Sequence, residues 1–159
     1  MKTFHNSTFK SLAVAADFKE EYYSVSRKGV IRGMHFQTPP AAHYKLVYCT
    51  AGAIFDVVAD LRKGSPTYGK HAHFELSADN GHMLYIPTGF AHGFCALEEN
   101  SVMMYRVSSE YSQPHDSGIR WNSLGIDWPT NMPIISERDQ ALCGLEGFGS
   151  PFEFNETQS

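Results

Sequence analysis

The chain has 159 residues, 42% hydrophobic and 19% charged, with a formal net charge of -4. That length suits one domain, 1–159, with a sizeable core, and the acidic balance gives no reason to expect nucleic acid or an anionic membrane as a partner. No apolar run is long enough to span a bilayer, the opening MKTFHNSTFKS lacks the apolar core of a signal peptide, and the odd, scattered set Cys49, Cys95 and Cys143 argues against a disulfide framework, so a reducing cytoplasm is expected.

Residues 1–28 read as a short amphipathic piece followed by a polar, aromatic strand in FKEEYYSVSRKG. The stretch GVIRGMHFQ, Gly29 to Gln37, is strand-like in its apolar and β-branched residues, and Pro39 and Pro40 end it. Further strands are predicted at Lys45–Thr50, Ile54–Leu61, His71–Leu76, His82–Ile86, Ala91–Leu97 and Val102–Val107, divided by loops rich in Gly, Pro, Asn and Asp. Helix signals are confined to the C-terminal part, where Ser136 is placed to cap a short helix through Asp139. Residues 142–159 read as a loose tail. Many short strands with frequent turns indicate one all-β sandwich or barrel with short C-terminal helical segments.

Polar residues inside an apolar strand need a partner or a task. His35 and Gln37 share one strand parity, and Arg32 has the other, so Arg32 and His35 should face apart unless Gly33 hosts a bulge. His35 fits either a catalytic base or a buried structural histidine. An arginine in a core strand points to an anion such as phosphate or carboxylate. Lys45 shares a face with Val47 and Cys49 and either snorkels to the rim or stabilises an oxyanion. Tyr105, between Met103 and Val107 on its face, is either a core tyrosine or a proton donor into the same cavity. No cysteine adjoins a histidine in sequence, which speaks against a cysteine nucleophile.

Gly81, Pro87, Gly89 and His92 reproduce the spacing of the second signature motif of the cupin superfamily, with Ala96 where that motif ends in asparagine. The first cupin motif carries two histidines and a glutamate for a metal. Here Gly29 and His35 fit its beginning, Gln37 replaces the second histidine, and no glutamate follows nearby. Two imidazoles, with Gln37 as the one candidate third ligand, make a weak metal site, so none is expected. His71, His73 and Glu75 alternate on one strand, but residues two apart lie about 7 Å apart at Cα. They read as a solvated face.

With these residues in hand, the chain resembles the dTDP-4-dehydrorhamnose 3,5-epimerase family. The segments GVIRGMHFQ, KLVYCTAGAIFDVVADLRKGSPTYGK, ELSADN, YIPTGFAHGF, GIRWNSLGIDWP and ISERD carry the resemblance through most of residues 24–141. It implies a cupin-type jelly-roll β-barrel that needs no metal or cofactor, a nucleotide-sugar substrate, and a homodimer whose N-terminal strands, within 1–28, exchange between subunits. It also implies inversion at C3, C5 or both in a 4-keto-6-deoxy sugar. By motif, His35 resembles the general base, Asp139 its supporting carboxylate, Tyr105 the proton donor and Lys45 the holder of the enolate oxygen. His92 resembles a sugar-pocket residue, Arg32 and Arg138 resemble diphosphate contacts, and Tyr111 resembles a platform for the base. Asp116 stands where the family has a glutamate.

Two departures touch substrate binding. The family's additional N-terminal strand, with an Arg-Gly pair and a glutamate, is expected to lie outside this sequence. Where the family reads Gln-Asp-Asn, this chain has Glu20, Glu21 and Tyr22. Glu20, Tyr22 and Gln37 are therefore substrate-binding candidates, and the identity of the nucleotide stays open. A single-site epimerase, a 3,4-ketoisomerase, a non-enzymatic sugar-nucleotide-binding cupin and a metal-dependent cupin are the competing readings.

Overall fold

The computed structural model describes residues 3–155 and folds them into two antiparallel sheets laid face to face. The strands are β1 (Glu20–Ser26), β2 (Ile31–Gln37), β3 (Lys45–Ala51), β4 (Ala53–Asp60), β5 (His71–Ser77), β6 (Met83–Ile86), β7 (Phe90–Ala96), β8 (Ser101–Val107) and β9 (Asp116–Gly118). One sheet runs β1-β8-β3-β6 and the other β5-β4-β7-β2-β9. This is the expected all-β architecture. Two short helices flank it, α1 (Asn6–Ser11), which buries no residue, and α2 (Glu137–Gln140). Ser136 caps α2 as anticipated, its hydroxyl accepting from the Asp139 N–H.

Two apolar layers explain the strand patterns. Val47, Cys49, Ile54, Ile86, Phe94 and Met103 fill the space between the sheets. Met34, Phe36, Val57, Ala59 and Ala91 form a second layer on the outer face of the five-stranded sheet. The β4 sequence AIFDVVAD is apolar at nearly every position because both of its faces are covered.

The outer layer corrects the reading of 142–159 as a loose tail. Phe152 is 6% exposed and packs edge-on to Phe36 with ring centres 5.7 Å apart, while Phe148 sits 5.2 Å from the same ring. Ser150 is buried and donates to the Leu61 carbonyl. An apolar sheet face requires a cover, and the aromatic residues of the C-terminal segment supply it. Residues 156–159 of that reading lie outside the described residues. The β1 strand, expected to exchange between subunits, pairs within its own chain along β8, from Glu20 opposite Val107 to Ser26 opposite Ser101. No helix of the described residues is long and apolar enough to cross a membrane.

Candidate active site

A cavity of about 380 Å³ opens between the sheets. Its walls come from the inward residues of β1, β2, β3, β7 and β8 and from the segments that carry Tyr111, Asp116 and Arg138. Arg32 and His35 both line it, although strict alternation would send them apart. The cause is a bulge: Arg32 pairs with Phe94, but His35 pairs with His92, a shift of one residue in register. Gly33 makes this possible. Its φ is +142°, and a Cβ there would lie 2.5 Å from the Gly93 Cα.

The His35 imidazole has a fixed orientation. Its Nε2 lies 2.7 Å from Asp139 Oδ1, and the other oxygen of that carboxylate accepts the Gly33 N–H at 3.2 Å. Burial of Asp139 opposes its charge, but the His35 contact and the Gly33 N–H outweigh it and hold the carboxyl below its usual range. With Nε2 directed at a carboxylate, Nδ1 is the nitrogen left for chemistry in the cavity.

Lys45 is 6% exposed and extends its ammonium under His35, donating to that residue's carbonyl oxygen at 3.4 Å. Burial pushes it down to about 8, opposed by the negative charges of Asp116 and Asp56. Tyr105 faces His35 from the opposite sheet. Its ring is held between Tyr22, stacked at 4.6 Å and 12°, and the edge of His92 at 6.1 Å. Its hydroxyl is 3.2 Å from Ser24 Oγ, and burial pushes it far above the ordinary phenol value, against the opposing effect of Ser24. His92 is 3% exposed and contacts the fully buried Asp56 at 2.7 Å.

Charges of both signs gather at the mouth. Arg138 pairs with Asp116 at 2.7 Å, the Tyr111 hydroxyl donates to the same carboxylate at 3.3 Å, and the Tyr111 N–H donates to Glu20 at 2.7 Å. Tyr111 is 62% exposed, so its ring is open to a planar partner. The exposed Arg32 guanidinium is steadied by Ser26 Oγ and the Val25 carbonyl. Tyr22 lies on the same wall, its hydroxyl pushed up to about 12 by burial and by the nearby Glu20 and Asp116.

Gln37 is on the wall too, but protein groups occupy its amide. The Ser112 N–H donates to its Oε1 at 2.6 Å, which fixes the amide and makes Nε2 the donor to the Ala41 carbonyl and to His43 Nδ1, each at 3.1 Å. This arrangement leaves no amide atom poised as a metal ligand. His71, His73 and Glu75 stay on the surface, with His73 stacked on Phe55 at 4.7 Å. Among the described residues no group of three His, Cys, Asp or Glu side chains is placed to hold a metal ion.

Three polar wall or support residues escaped the sequence reading. Asp56 had a visible signal, a carboxylate in the apolar run Ile54–Val58 at the inward parity. Ser24 had one only in its parity with Glu20 and Tyr22. His43 had none, since it follows a proline loop with no periodic pattern; burial and the adjacent Lys45 push it down to about 3, so it stays neutral.

Comparisons with known proteins agree with one another. A family model described as dTDP-4-dehydrorhamnose 3,5-epimerase matches residues 1–146. The dTDP-4-dehydrorhamnose 3,5-epimerase of Shigella flexneri is 42% identical over 142 residues, which cover 87% of this chain and 78% of that protein. The crystal structure of the dTDP-4-dehydrorhamnose 3,5-epimerase of Bacillus anthracis, with TDP and PPi bound, matches with a TM-score of 0.89 at 44% identity, covering 91% of this chain and 84% of that one. A dTDP-6-deoxy-D-glucose-3,5-epimerase of Legionella pneumophila, in complex with dTDP-4-keto-L-rhamnose, matches at 0.92 and 32% identity, covering 97% and 85%. By sequence and by fold, the chain belongs to the dTDP-4-dehydrorhamnose 3,5-epimerase family, and so to a family of carbohydrate isomerases.

Proposed function

We propose that the chain inverts C3 and C5 of a dTDP-linked 4-keto-6-deoxy sugar by proton transfer alone. The observation that carries the reading is the pairing of His35, braced by Asp139, with Tyr105 on the facing sheet of one cavity. A proton next to a ketone can be removed if the enolate that forms is stabilised. His35 Nδ1 takes that proton, and the electron pair moves onto the ketone oxygen, where the Lys45 ammonium meets the charge. Tyr105 returns a proton to carbon from the other face, which inverts the centre. His92, held by Asp56, contacts the sugar beside Lys45.

Arg32 and Arg138 meet the diphosphate, and Tyr111 stacks on the base. Support comes from the relatives solved with TDP and PPi and with dTDP-4-keto-L-rhamnose. Glu20 and Tyr22 border the sugar end, and Gln37 shapes the wall by tying the loops at Ala41 and Ser112 together. The reading includes a homodimer in the cytoplasm. The edge strand β1, with Tyr23 65% and Val25 48% exposed, is a surface suited to a second copy, and sedimentation should give twice the 17.8 kDa chain mass.

Incubation with dTDP-4-keto-6-deoxyglucose in D2O, followed by NMR, tests the reaction. Deuterium is expected at both C3 and C5. Entry at one carbon marks a single-site epimerase, and binding without exchange marks a sugar-nucleotide-binding module.

A further inference from the structure

Each inversion leaves Tyr105 as a phenolate, in a place that strongly disfavours one. The ring is 7% exposed, covered by Tyr22 on one face and met by the edge of His92. Among the described residues, the side-chain hydrogen-bond partner of its hydroxyl is Ser24 Oγ at 3.2 Å, and either oxygen can donate. Ser24 lines the cavity, is half-buried, and follows Tyr22 on the inward face of β1. It therefore touches both the enclosed phenol and the cavity.

We propose that Ser24 recharges Tyr105, returning a proton to it after each inversion. The role rests on the assignment of Tyr105 as the acid. The Tyr105 O–H bond breaks as the new C–H bond forms. The Ser24 O–H proton then passes to the phenolate oxygen while Ser24 Oγ takes a proton from a cavity water. The hydroxide left behind is neutralised by the proton that His35 sheds, so charge and protons balance. Two inversions on one sugar need a recharged acid between them, and a relay at the cavity wall meets that need before product leaves.

The test compares wild type, Ser24→Ala and Ser24→Thr with dTDP-4-keto-6-deoxyglucose in D2O, by rapid quench with enzyme in excess and with substrate in excess. The first inversion by Ser24→Ala should keep a rate within about twofold of wild type, while its steady state falls roughly tenfold and singly inverted sugar is released. Ser24→Thr, which keeps a hydroxyl, should restore the steady state. An alanine variant that turns over like wild type overturns the relay. So does one whose first inversion slows as much as its steady state, because that is how a purely structural serine behaves. A threonine variant as slow as alanine also counts against it. If wild type itself exchanges no deuterium, the epimerase reading falls and takes the relay with it; exchange by wild type confines any failure to Ser24.

Discussion

The imidazole of His35 can act as a base in the cavity only while its other nitrogen is occupied, and Asp139 Oδ1 at 2.7 Å occupies it. Asp139→Asn keeps the shape but lets an amide present either oxygen or nitrogen to the ring, so the productive tautomer is no longer enforced. A fall in kcat of about a hundredfold or more is expected, with KM little changed, in steady-state assays of epimerisation. His35→Ala should abolish exchange at both carbons while leaving nucleotide affinity nearly intact, and exchange persisting there removes His35 from the mechanism. Lys45 adds a pH dependence. In the proposed mechanism its charged form meets the enolate, and burial sets it to about 8, so kcat/KM should decline as pH rises through that value. The folded chain binds fewer protons at Lys45 than the unfolded chain does between about 8 and 10.5. Its burial therefore costs stability in full below that window, and the cost is relieved as pH rises across it. Lys45→Met should accordingly lose activity yet melt higher at pH 7; a lower Tm would show that the ammonium stabilises the fold. Most of these residue types were legible in sequence because polar groups interrupt apolar runs. Their partners on the adjacent strand of the same sheet, Ser24 for Tyr105 and Asp56 for His92, were not, since strand parity gives a face and not a neighbour.

At the scale of elements, the site depends on the bulge in β2. Its position could be inferred from Gly33 between two polar residues of opposite parity, and the shift in pairing lies there. What sequence could not supply is the reason for glycine on both strands. Gly93 on β7 faces Gly33 so closely that a Cβ on Gly93 would lie 2.6 Å from Met34 Sδ and 2.8 Å from the Arg32 carbonyl. Gly33→Ala must relax both a positive φ and a backbone contact, so a loss of about 2 kcal/mol is expected, near 6 °C in Tm for a chain of this size. Because the strand has to shift to admit the methyl group, Arg32 and His35 should be re-aimed together, and activity should fall further than stability alone explains. Calorimetry beside the deuterium assay separates the two effects, and an alanine variant of unchanged Tm and activity would show that β2 tolerates a regular register. The short β9 strand was invisible for a different reason. Asp-Ser-Gly has no strand pattern, and its three residues are ordered by pairing with His35, Phe36 and Gln37 of β2. That pairing brings Asp116 to the cavity mouth.

For the whole molecule, the five-stranded sheet divides two jobs between its faces. The inward face holds the cavity, and the outward face carries Met34, Phe36, Val57 and Ala59, which alternate in sequence with inward residues such as His35 of the cavity wall and Asp56 behind His92. An apolar outward face left in water would make the register of β2 and β4 poorly specified, because a one-residue slip exchanges the two sets. The segment from Ile119 to Phe152 prevents that by covering the face, with Ile119, Ile126 and Phe152 inserted into the layer. The nearly continuous apolar run of β4 was the sequence signal that two faces needed cover. A turn-rich, Gly- and Pro-containing C-terminal stretch gave no sign that it would be the cover, since its packing rests on isolated aromatics without periodicity. Phe152→Ala tests this directly. The ring is 6% exposed and fits edge-on against Phe36, the residue next to His35. Its removal should cost about 3 kcal/mol, or roughly 10 °C in Tm. The proposed acid–base residues are untouched, so well below the transition the surviving folded protein should keep most of its kcat. A loss under about 1 kcal/mol would mean that the C-terminal segment is dispensable and that the outer face is closed by Ile119 and Ile126 alone.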